Sequence, residues 1–318
     1  MATIAENIQT LRSIKTDIKN AITDKGGSVG NDFKTYAQAI TNLPSGGGGG
    51  TEIEDAFITR RLSGTYYNDR VSMVGSYAFA SCKSLTSVNL PNCVSVGDYT
   101  FRECYSLLSI DLPLCSTIGS YTFINCSALV SVNLSKVISL GGYTFSGCSA
   151  LVSVSLPNCI SILDYTFYHC YSLLSIDLPL CSTINYYAFS GCSALVYINI
   201  PNCISILDYT FYRCTALTSI DLPLCTKIGG GAYTDCSALV YINIPNCISI
   251  GYGVFNRCTN LAQVYLNSVS SVTTISSDTF YNCPNLTSIY VPASLVNAFK
   301  TARYWSSISD KIVAYTGT

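Results

Sequence analysis

The chain has 318 residues, and its 17 basic and 18 acidic side chains make up only 11% of it, against about 25% in an average soluble domain. The net charge of −1 gives no sign of the clustered Lys and Arg that bind a nucleic-acid backbone or an anionic membrane surface. Hydrophobic residues reach 49%, yet uncharged stretches such as 112–135 are interrupted by Pro, Asn and Ser. The sequence therefore predicts no nucleic-acid partner and no segment inserted in a membrane.

Two short helices are predicted at the N-terminus. The first 13 residues contain Glu6 and Arg12 where a secretion signal is apolar, so we expect no Sec signal. Apolar residues at steps of three or four predict an amphipathic helix, at Ile4, Ile8, Leu11, Ile14, Ile18 and Ile22. A second helical face is predicted at Phe33, Tyr36, Ile40 and Leu43.

This N-terminal part is predicted to be a separate module. Two short helices bury too little apolar surface to fold alone, so residues 1–45 are predicted to attach to a larger body or to oligomerise. Residues 46–50 are five glycines, which predict a flexible linker.

A 22-residue repeat fills most of the remaining chain. An aromatic residue recurs every 22 positions from Phe79 to Phe255 and once more at Phe280, and a cysteine follows each after three residues. A second cysteine comes 11 residues after the first in most coils, so all 17 cysteines have a place in the repeat. One unit buries little by itself, and stability must come from stacking. The pattern predicts a solenoid of about ten 22-residue coils within residues 51–292.

Each coil contains one predicted strand. Leu85, Val88 and Leu90 point inward while Ser87 and Asn89 alternate outward, which is the period of a strand with one buried face. Stacking the coils at about 4.8 Å gives one parallel sheet.

The repeat resembles a known family. The anchors F-x-x-C-x-x-L and the following I-x-L-P resemble the BspA-like leucine-rich repeats, also known from Treponema surface proteins, over residues 70–292. Residues 293–318 are similar to the C-terminal cap of such arrays. The resemblance implies an α/β leucine-rich-repeat solenoid, here preceded by the small helical module.

A second resemblance concerns the N-terminal module. The segment IKTDIKNAITDKGGSVGNDFKTYAQAI and the glycine tract after it resemble tail and fibre proteins of bacteriophages of gut bacteria. This implies that residues 1–45 bind other virion or surface-assembly proteins, with a homo-oligomer as one possibility.

The cysteines are predicted to be core residues. Parallel Cβ vectors in stacked coils keep the Cβ atoms farther apart than a disulfide allows, and Val137 and Val269 replace cysteine in two coils. Most cysteines are therefore expected to be buried and reduced. Neither C-x-x-C pairs nor clustered histidines occur, so no metal or cofactor is predicted. The sole histidine, His169, is expected to be a solvated surface residue.

Two carboxylates are candidates for a catalytic pair. Asp177 and Asp221 occupy the same outward position two coils apart, about 9.6 Å, near the carboxylate separation of an inverting glycosidase. Asp111 and several asparagines share that position in other coils, so repetition explains these acids without catalysis. We therefore predict no enzyme, and a glycan-processing enzyme is the third alternative.

Tyrosine is the most informative excess, with 24 residues. A ladder of seven tyrosines spaced by 22 residues, from Tyr77 to Tyr209, is predicted to pack along the coil edge, with binding left open. On the strand face, tyrosines appear in the C-terminal half and are expected to project into solvent, where Tyr with Ser, Asn and Asp makes an adaptable recognition surface. The predicted binding residues are Ser175, Asp177, Tyr197, Asn199, Ser219, Asp221, Tyr241, Asn243, Tyr265 and Tyr290.

These patterns together predict a non-enzymatic adhesion protein. The favoured interpretation is a tail-associated virion protein, assembled in the bacterial cytoplasm, whose repeat face binds a host cell-surface protein or glycan. The alternative is a BspA-like adhesin on a bacterial cell surface.

Overall fold

The computed structural model describes residues 51–53 and 62–317. The predicted helical module, residues 1–45, and the glycine linker, residues 46–50, lie outside the described residues, so both stay predictions. The described chain is a succession of short strands and turns that repeats every 22 residues and forms a solenoid.

One long side of the solenoid, called the front face here, carries the strands predicted from the alternating pattern. All neighbouring strands that pair on this face are parallel. Its twelve strands are β2 (Ser63–Tyr67), β4 (Ser84–Asn89), β6 (Ser109–Asp111), β8 (Ser131–Asn133), β10 (Ser153–Ser155), β12 (Ser175–Asp177), β14 (Tyr197–Asn199), β16 (Ser219–Asp221), β18 (Tyr241–Asn243), β20 (Gln263–Tyr265), β21 (Ser288–Pro292) and β22 (Ile312–Tyr315).

The opposite side carries a second parallel sheet. Its ten strands are β1 (Thr51–Ile53), β3 (Val71–Val74), β5 (Ser95–Val96), β7 (Thr117–Ile118), β9 (Ser139–Leu140), β11 (Ser161–Ile162), β13 (Thr183–Ile184), β15 (Ser205–Ile206), β17 (Lys227–Ile228) and β19 (Ser249–Ile250).

The solenoid is thus confirmed, and two details are corrected. The sequence predicts one sheet, but the twelve strands of the front face form three hydrogen-bonded groups of five, two and five strands. On the opposite side, two-residue strands such as β5, which are too short to show a period of two, make the second sheet. The sequence also predicts about ten coils, but β2 and β22 extend the front face at both ends without the F-x-x-C signature.

Aromatic rings and thiols form the core. The ring centroids of the residues aligned with Phe79 lie 5.0 to 5.4 Å apart in successive coils from Phe79 to Tyr233. Sixteen of the cysteines are buried and Cys283 is partly buried, so the predicted burial is confirmed. The thiol of Cys104 donates a hydrogen bond of 3.1 Å to the Phe79 carbonyl of the preceding coil, and later coils repeat this bond. In the second cysteine position, burial raises the pKa of the Cys115 thiol to about 12.

Two residues in most coils adopt a left-handed backbone. One is the edge tyrosine, such as Tyr143 with φ 58°, and the other precedes the first cysteine, such as His169 with φ 58°. Side chains disfavour this conformation because Cβ approaches the following carbonyl. Glycine takes the position before cysteine at Gly147 and Gly191 and the tyrosine position at Gly231. The turns therefore constrain the sequence more than a simple polar loop would.

The C-terminal residues cover the last coil. After β21 the chain forms a 3-10 turn (Ala293–Leu295), helix α1 (Val296–Thr301) and a 3-10 segment (Trp305–Lys311) before β22. Trp305 is buried, packs edge-on against Phe299 and donates its indole N–H to the Thr273 carbonyl at 2.7 Å. Within residues 62–317, none of the helices has the length and apolar character needed to cross a membrane.

Candidate binding surface

The front face presents its outward side chains in two columns. The first is called the tyrosine column, and register places Ser175 beside Tyr197 and Ser219 beside Tyr241. The second column, called the amide column, follows two residues later and places Asp177 beside Asn199, Asp221 beside Asn243, and Tyr265 beside Tyr290. All ten predicted binding residues therefore lie on one face, in two parallel rows.

Two tyrosines project from the tyrosine column. Tyr197 is 54% exposed and Tyr241 is 42% exposed, whereas the intervening Ser219 is partly buried. One coil lies between them, so their backbones are about 9.6 Å apart at ordinary sheet spacing. The neighbouring aliphatic side chains Val196 and Val240 are exposed at 46% and 45%. The result is a pair of aromatic groups on a rigid, partly apolar platform.

The amide column is organised in hydrogen-bonded pairs. The Asn199 Nδ2 donates to Asp177 Oδ1 at 2.6 Å, and the Asn243 Nδ2 donates to Asp221 Oδ1 at 2.7 Å. The alternation keeps like charges from lying directly opposite each other, which destabilises a sheet. Each exposed aspartate is thus fixed in place by the next coil.

These pairs also bear on catalysis. Both aspartates are exposed, and each accepts a hydrogen bond from the side-chain amide of an asparagine. A general acid, by contrast, needs surroundings that differ from those of its partner carboxylate. Sheet pairing accounts for both residues, and the geometry lends no support to an acid and base pair.

Tyr265 and Tyr290 differ from the other two tyrosines. They lie in adjacent coils of the amide column, so their rings stack at 4.7 Å, and the Tyr315 ring packs edge-on against both. The Tyr265 hydroxyl donates to Gln263 Oε1 at 3.0 Å. The expectation that all four project into solvent is confirmed for Tyr197 and Tyr241 and is wrong for Tyr265 and Tyr290, which are partly buried.

The edge tyrosine ladder is a continuous stack. Successive ring centroids from Tyr77 to Tyr209 lie 4.6 to 4.9 Å apart with interplanar angles of 3° to 15°. Beyond Tyr209 the ladder position is Gly231, and the Tyr252 hydroxyl closes the stack with a 2.8 Å hydrogen bond to the Tyr209 hydroxyl. Ring faces inside the stack are covered by their neighbours, which supports the packing interpretation and leaves only ring edges and hydroxyls for a ligand.

His169 is less exposed than the sequence suggests. Its ring stacks on Tyr168 at 3.8 Å and lies against Gly191 of the next coil. Burial, with a smaller effect of Arg213, lowers its pKa. The expected solvated histidine is therefore a partly buried packing residue. No group of three or more metal-ligating side chains occurs within the described residues.

The chain is similar to several solved structures. A leucine-rich repeat protein from Bacteroides ovatus is 21% identical, covering 79% of this chain and 92% of its own, with a TM-score of 0.42. A leucine rich cell surface protein from Faecalibacterium prausnitzii is 20% identical, covering 81% and 92%, with a TM-score of 0.40. The pneumococcal vaccine antigen PcpA is 14% identical, covering 80% of each chain, with a TM-score of 0.44.

The family match rests on the repeats themselves. No curated protein sequence matches the chain significantly. Residues 72–196 and 182–309 match the family described as BspA type leucine rich repeat region. These ranges contain the Phe and Cys ladders and both columns of the front face. The chain therefore belongs to the BspA-type leucine-rich-repeat family.

Proposed function

We propose that this protein is a non-enzymatic adhesion protein that binds a host cell-surface molecule through its front face. The observation that carries the proposal is the pair of exposed rings, Tyr197 and Tyr241, on a platform whose polar groups are already fixed by Asp–Asn hydrogen bonds. Tyrosine gives a large contact area with few rotatable bonds. Because the sheet is held by stacking on both sides, binding needs little reorganisation.

The test is attachment to host cells by a double variant. Tyr197→Ser with Tyr241→Ser restores the residue present at equivalent positions such as Ser175 and Ser219, so the fold should be kept. Cell binding should fall at least about tenfold, since each buried interface aromatic contributes about 1 to 2 kcal/mol.

A matched control keeps the number of substitutions equal. Tyr67→Ser with Tyr281→Ser removes two tyrosines that are 60% and 66% exposed, one in β2, six coils from β14, and one outside the strands of the front face. This variant should bind cells as the parent protein does. Equal cell binding by both double variants would contradict the proposal.

For the location of the protein, we propose a tail-associated virion protein assembled in the bacterial cytoplasm, with residues 1–45 binding other virion proteins. The resemblance of that segment to phage tail and fibre proteins supports this choice. The alternative is an adhesin on a bacterial surface, which the resemblance of the repeats to Treponema surface proteins supports. Immunodetection in purified virions, with surface labelling of the producing bacterium as the comparison, separates the two.

The third candidate, a glycan-processing enzyme, has one specific test. Turnover of a glycan panel should be absent in the parent protein and in Asp177→Asn and Asp221→Asn variants. Turnover that disappears in either variant would revive this candidate.

A further inference from the structure

Building on the proposed function, we propose that the front face binds a linear, uncharged polysaccharide of equatorially linked pyranose units, with one two-sugar repeat of the ligand on every two coils. The proposal names the ligand class for the same surface.

The first support is the period of the surface. From β12 to β18 the outward pairs alternate coil by coil between Ser with Asp and Tyr with Asn. Across these four coils the outward chemistry therefore repeats every 44 residues, that is, about every 9.6 Å along the solenoid. Two pyranose rings joined through equatorial bonds in an extended chain, as in β-1,4-linked glucans, span nearly this length.

The second support is the match of chemical groups. A pyranose ring presents apolar C–H groups on its faces and hydroxyls around its rim. The rings of Tyr197 and Tyr241 and the exposed Val196 and Val240 side chains supply apolar surface. Beside them, the second carboxylate oxygen of Asp221 is available to accept a charge-assisted hydrogen bond from a ligand hydroxyl, since Asn243 occupies only Oδ1. Apolar surface with a few convergent polar groups is the usual composition of a ligand site.

The third support is the fit of the slot. Tyr197 and Tyr241 are separated by a residue with a short side chain, Ser219, which leaves space between the two rings above the sheet. This space favours a ligand thicker than a flat aromatic ring.

Other ligand classes fit less well. A peptide in β-strand conformation repeats about every 6.8 Å for two residues, which does not match two coils. The exposed Asp177 and Asp221 disfavour nucleic acids and acidic glycans, because like charges repel at an interface.

The test is direct binding of defined oligosaccharides to the full-length protein by isothermal titration calorimetry. Cellohexaose and chitohexaose are the β-1,4-linked probes, and maltohexaose, whose α-linked chain coils, is the control. At least one β-1,4-linked hexaose should bind at least about tenfold more tightly than maltohexaose. Affinity should rise mainly with each added pair of sugars, and Tyr197→Ser with Tyr241→Ser should lower it at least about tenfold.

A filled-slot variant separates this proposal from nonspecific aromatic contact. Ser219→Tyr places a third ring in a column that already accepts tyrosine on both sides, so folding should persist, which a melting curve checks. If the slot takes a sugar, Ser219→Tyr should lower hexaose affinity even though it adds aromatic area. The Tyr67→Ser variant, altered at a distant coil, should bind the hexaose as the parent does.

Failure of this inference is distinguishable from failure of the proposed function. If the double tyrosine variant loses cell binding while neither β-1,4-linked hexaose binds, the glycan class is overturned and the adhesion function stands with a protein receptor. Equal affinity for maltohexaose, or unchanged hexaose affinity of Ser219→Tyr, overturns the period match. If the double variant binds cells normally, the front face is not the adhesion surface and both proposals fail.

Discussion

The edge tyrosine ladder allows a prediction from two substitutions at one position. Both remove the same ring, but only one of them keeps a Cβ on the left-handed backbone. Tyr143 stacks on Tyr121 and on Tyr165, each at 4.6 Å, and its φ of 58° is left-handed. Tyr143→Ala removes both stacks and keeps a Cβ in the left-handed conformation. Tyr143→Gly removes both stacks and also removes the Cβ.

The magnitudes follow from these contacts. Two aromatic pairs contribute about 0.5 to 1.5 kcal/mol each beyond burial, so Tyr143→Ala should lower the free energy of unfolding by about 1 to 3 kcal/mol or more. A residue with a Cβ costs about 1 to 2 kcal/mol in the left-handed region, and glycine removes this strain. The greater conformational freedom of glycine in the unfolded chain offsets about 0.4 to 1 kcal/mol of the stability gained in this way. Tyr143→Gly should therefore be more stable than Tyr143→Ala by roughly 0.5 to 1 kcal/mol, contrary to their order in a helix or strand.

Urea unfolding followed by far-UV circular dichroism and by Trp305 fluorescence measures both variants. Coincident transitions would show that the repeat array unfolds as one unit, which the comparison of free energies requires. Tyr281→Ala, at a side chain that is 66% exposed, is the control and should change stability by no more than about 0.5 kcal/mol. An alanine variant as stable as the glycine variant would refute the account of backbone strain, and a parent-like stability of both would refute the stabilising role of the stack.

Three further predictions concern the core. Tyr233 lies where the aligned positions of the repeat have Phe, and its buried hydroxyl has no hydrogen-bond partner. Tyr233→Phe should therefore raise the free energy of unfolding by about 1 to 3 kcal/mol. An unchanged or lower free energy in urea unfolding would contradict this prediction. Trp305→Phe removes the hydrogen bond to the Thr273 carbonyl and leaves that carbonyl unpaired. The free energy of unfolding, followed by circular dichroism, should therefore fall by about 1 to 3 kcal/mol. A parent-like value would show that the C-terminal cap does not depend on this bond. Burial raises the pKa of Cys225 and Cys283 from 9.0 to about 11, so the folded state disfavours their thiolates. The melting temperature should therefore be nearly constant between about pH 7 and 9 and fall as the pH rises from 9 towards 11. Native protein should also show few reactive thiols, whereas denatured protein should show nearly all. A flat alkaline profile, or thiols that stay unreactive after denaturation without reductant, would contradict the assignment of buried, reduced cysteines.

The sequence is sufficient for the solenoid because ten coils repeat nearly the same inward residues. The same spacing recurs for one Phe, two Cys and several Leu or Ile positions. The repeated pattern therefore predicts burial at the equivalent position in each of these coils. The second sheet is not predictable in the same way, since strands such as β5 and β7 have two residues and no measurable period. The coils that end in β2 and β22 are also missed, because they lack the Phe and Cys anchors.

The candidate site was predictable as a set of residues but not as an arrangement. The strand pattern indicates that Tyr197, Tyr241, Tyr265 and Tyr290 all face outward. Exposure depends on which residues occupy the same column in the neighbouring coils: the short side chain of Ser219 beside Tyr241 leaves the Tyr241 ring exposed, whereas Tyr265 and Tyr290 are adjacent and cover each other. The pattern of Asp and Asn shows alternation, but the hydrogen bonds between neighbouring coils follow only from the register. The left-handed backbone of the edge tyrosines has no sequence signal other than the glycines that replace them.

The central claim is that recognition occurs on the part of the front face from β14 to β18, and protection from chemical modification tests it most directly. Tyrosine-selective iodination followed by mass spectrometry measures the reactivity of Tyr197, Tyr241, Tyr67 and Tyr281 in the free protein and in protein bound to host cells. All four are exposed in the free chain and should react. On bound protein, we expect Tyr197 and Tyr241 to be protected while Tyr67 and Tyr281 keep their reactivity. Protection of Tyr67 or Tyr281 without protection of Tyr197 and Tyr241 would place the contact elsewhere and contradict the account.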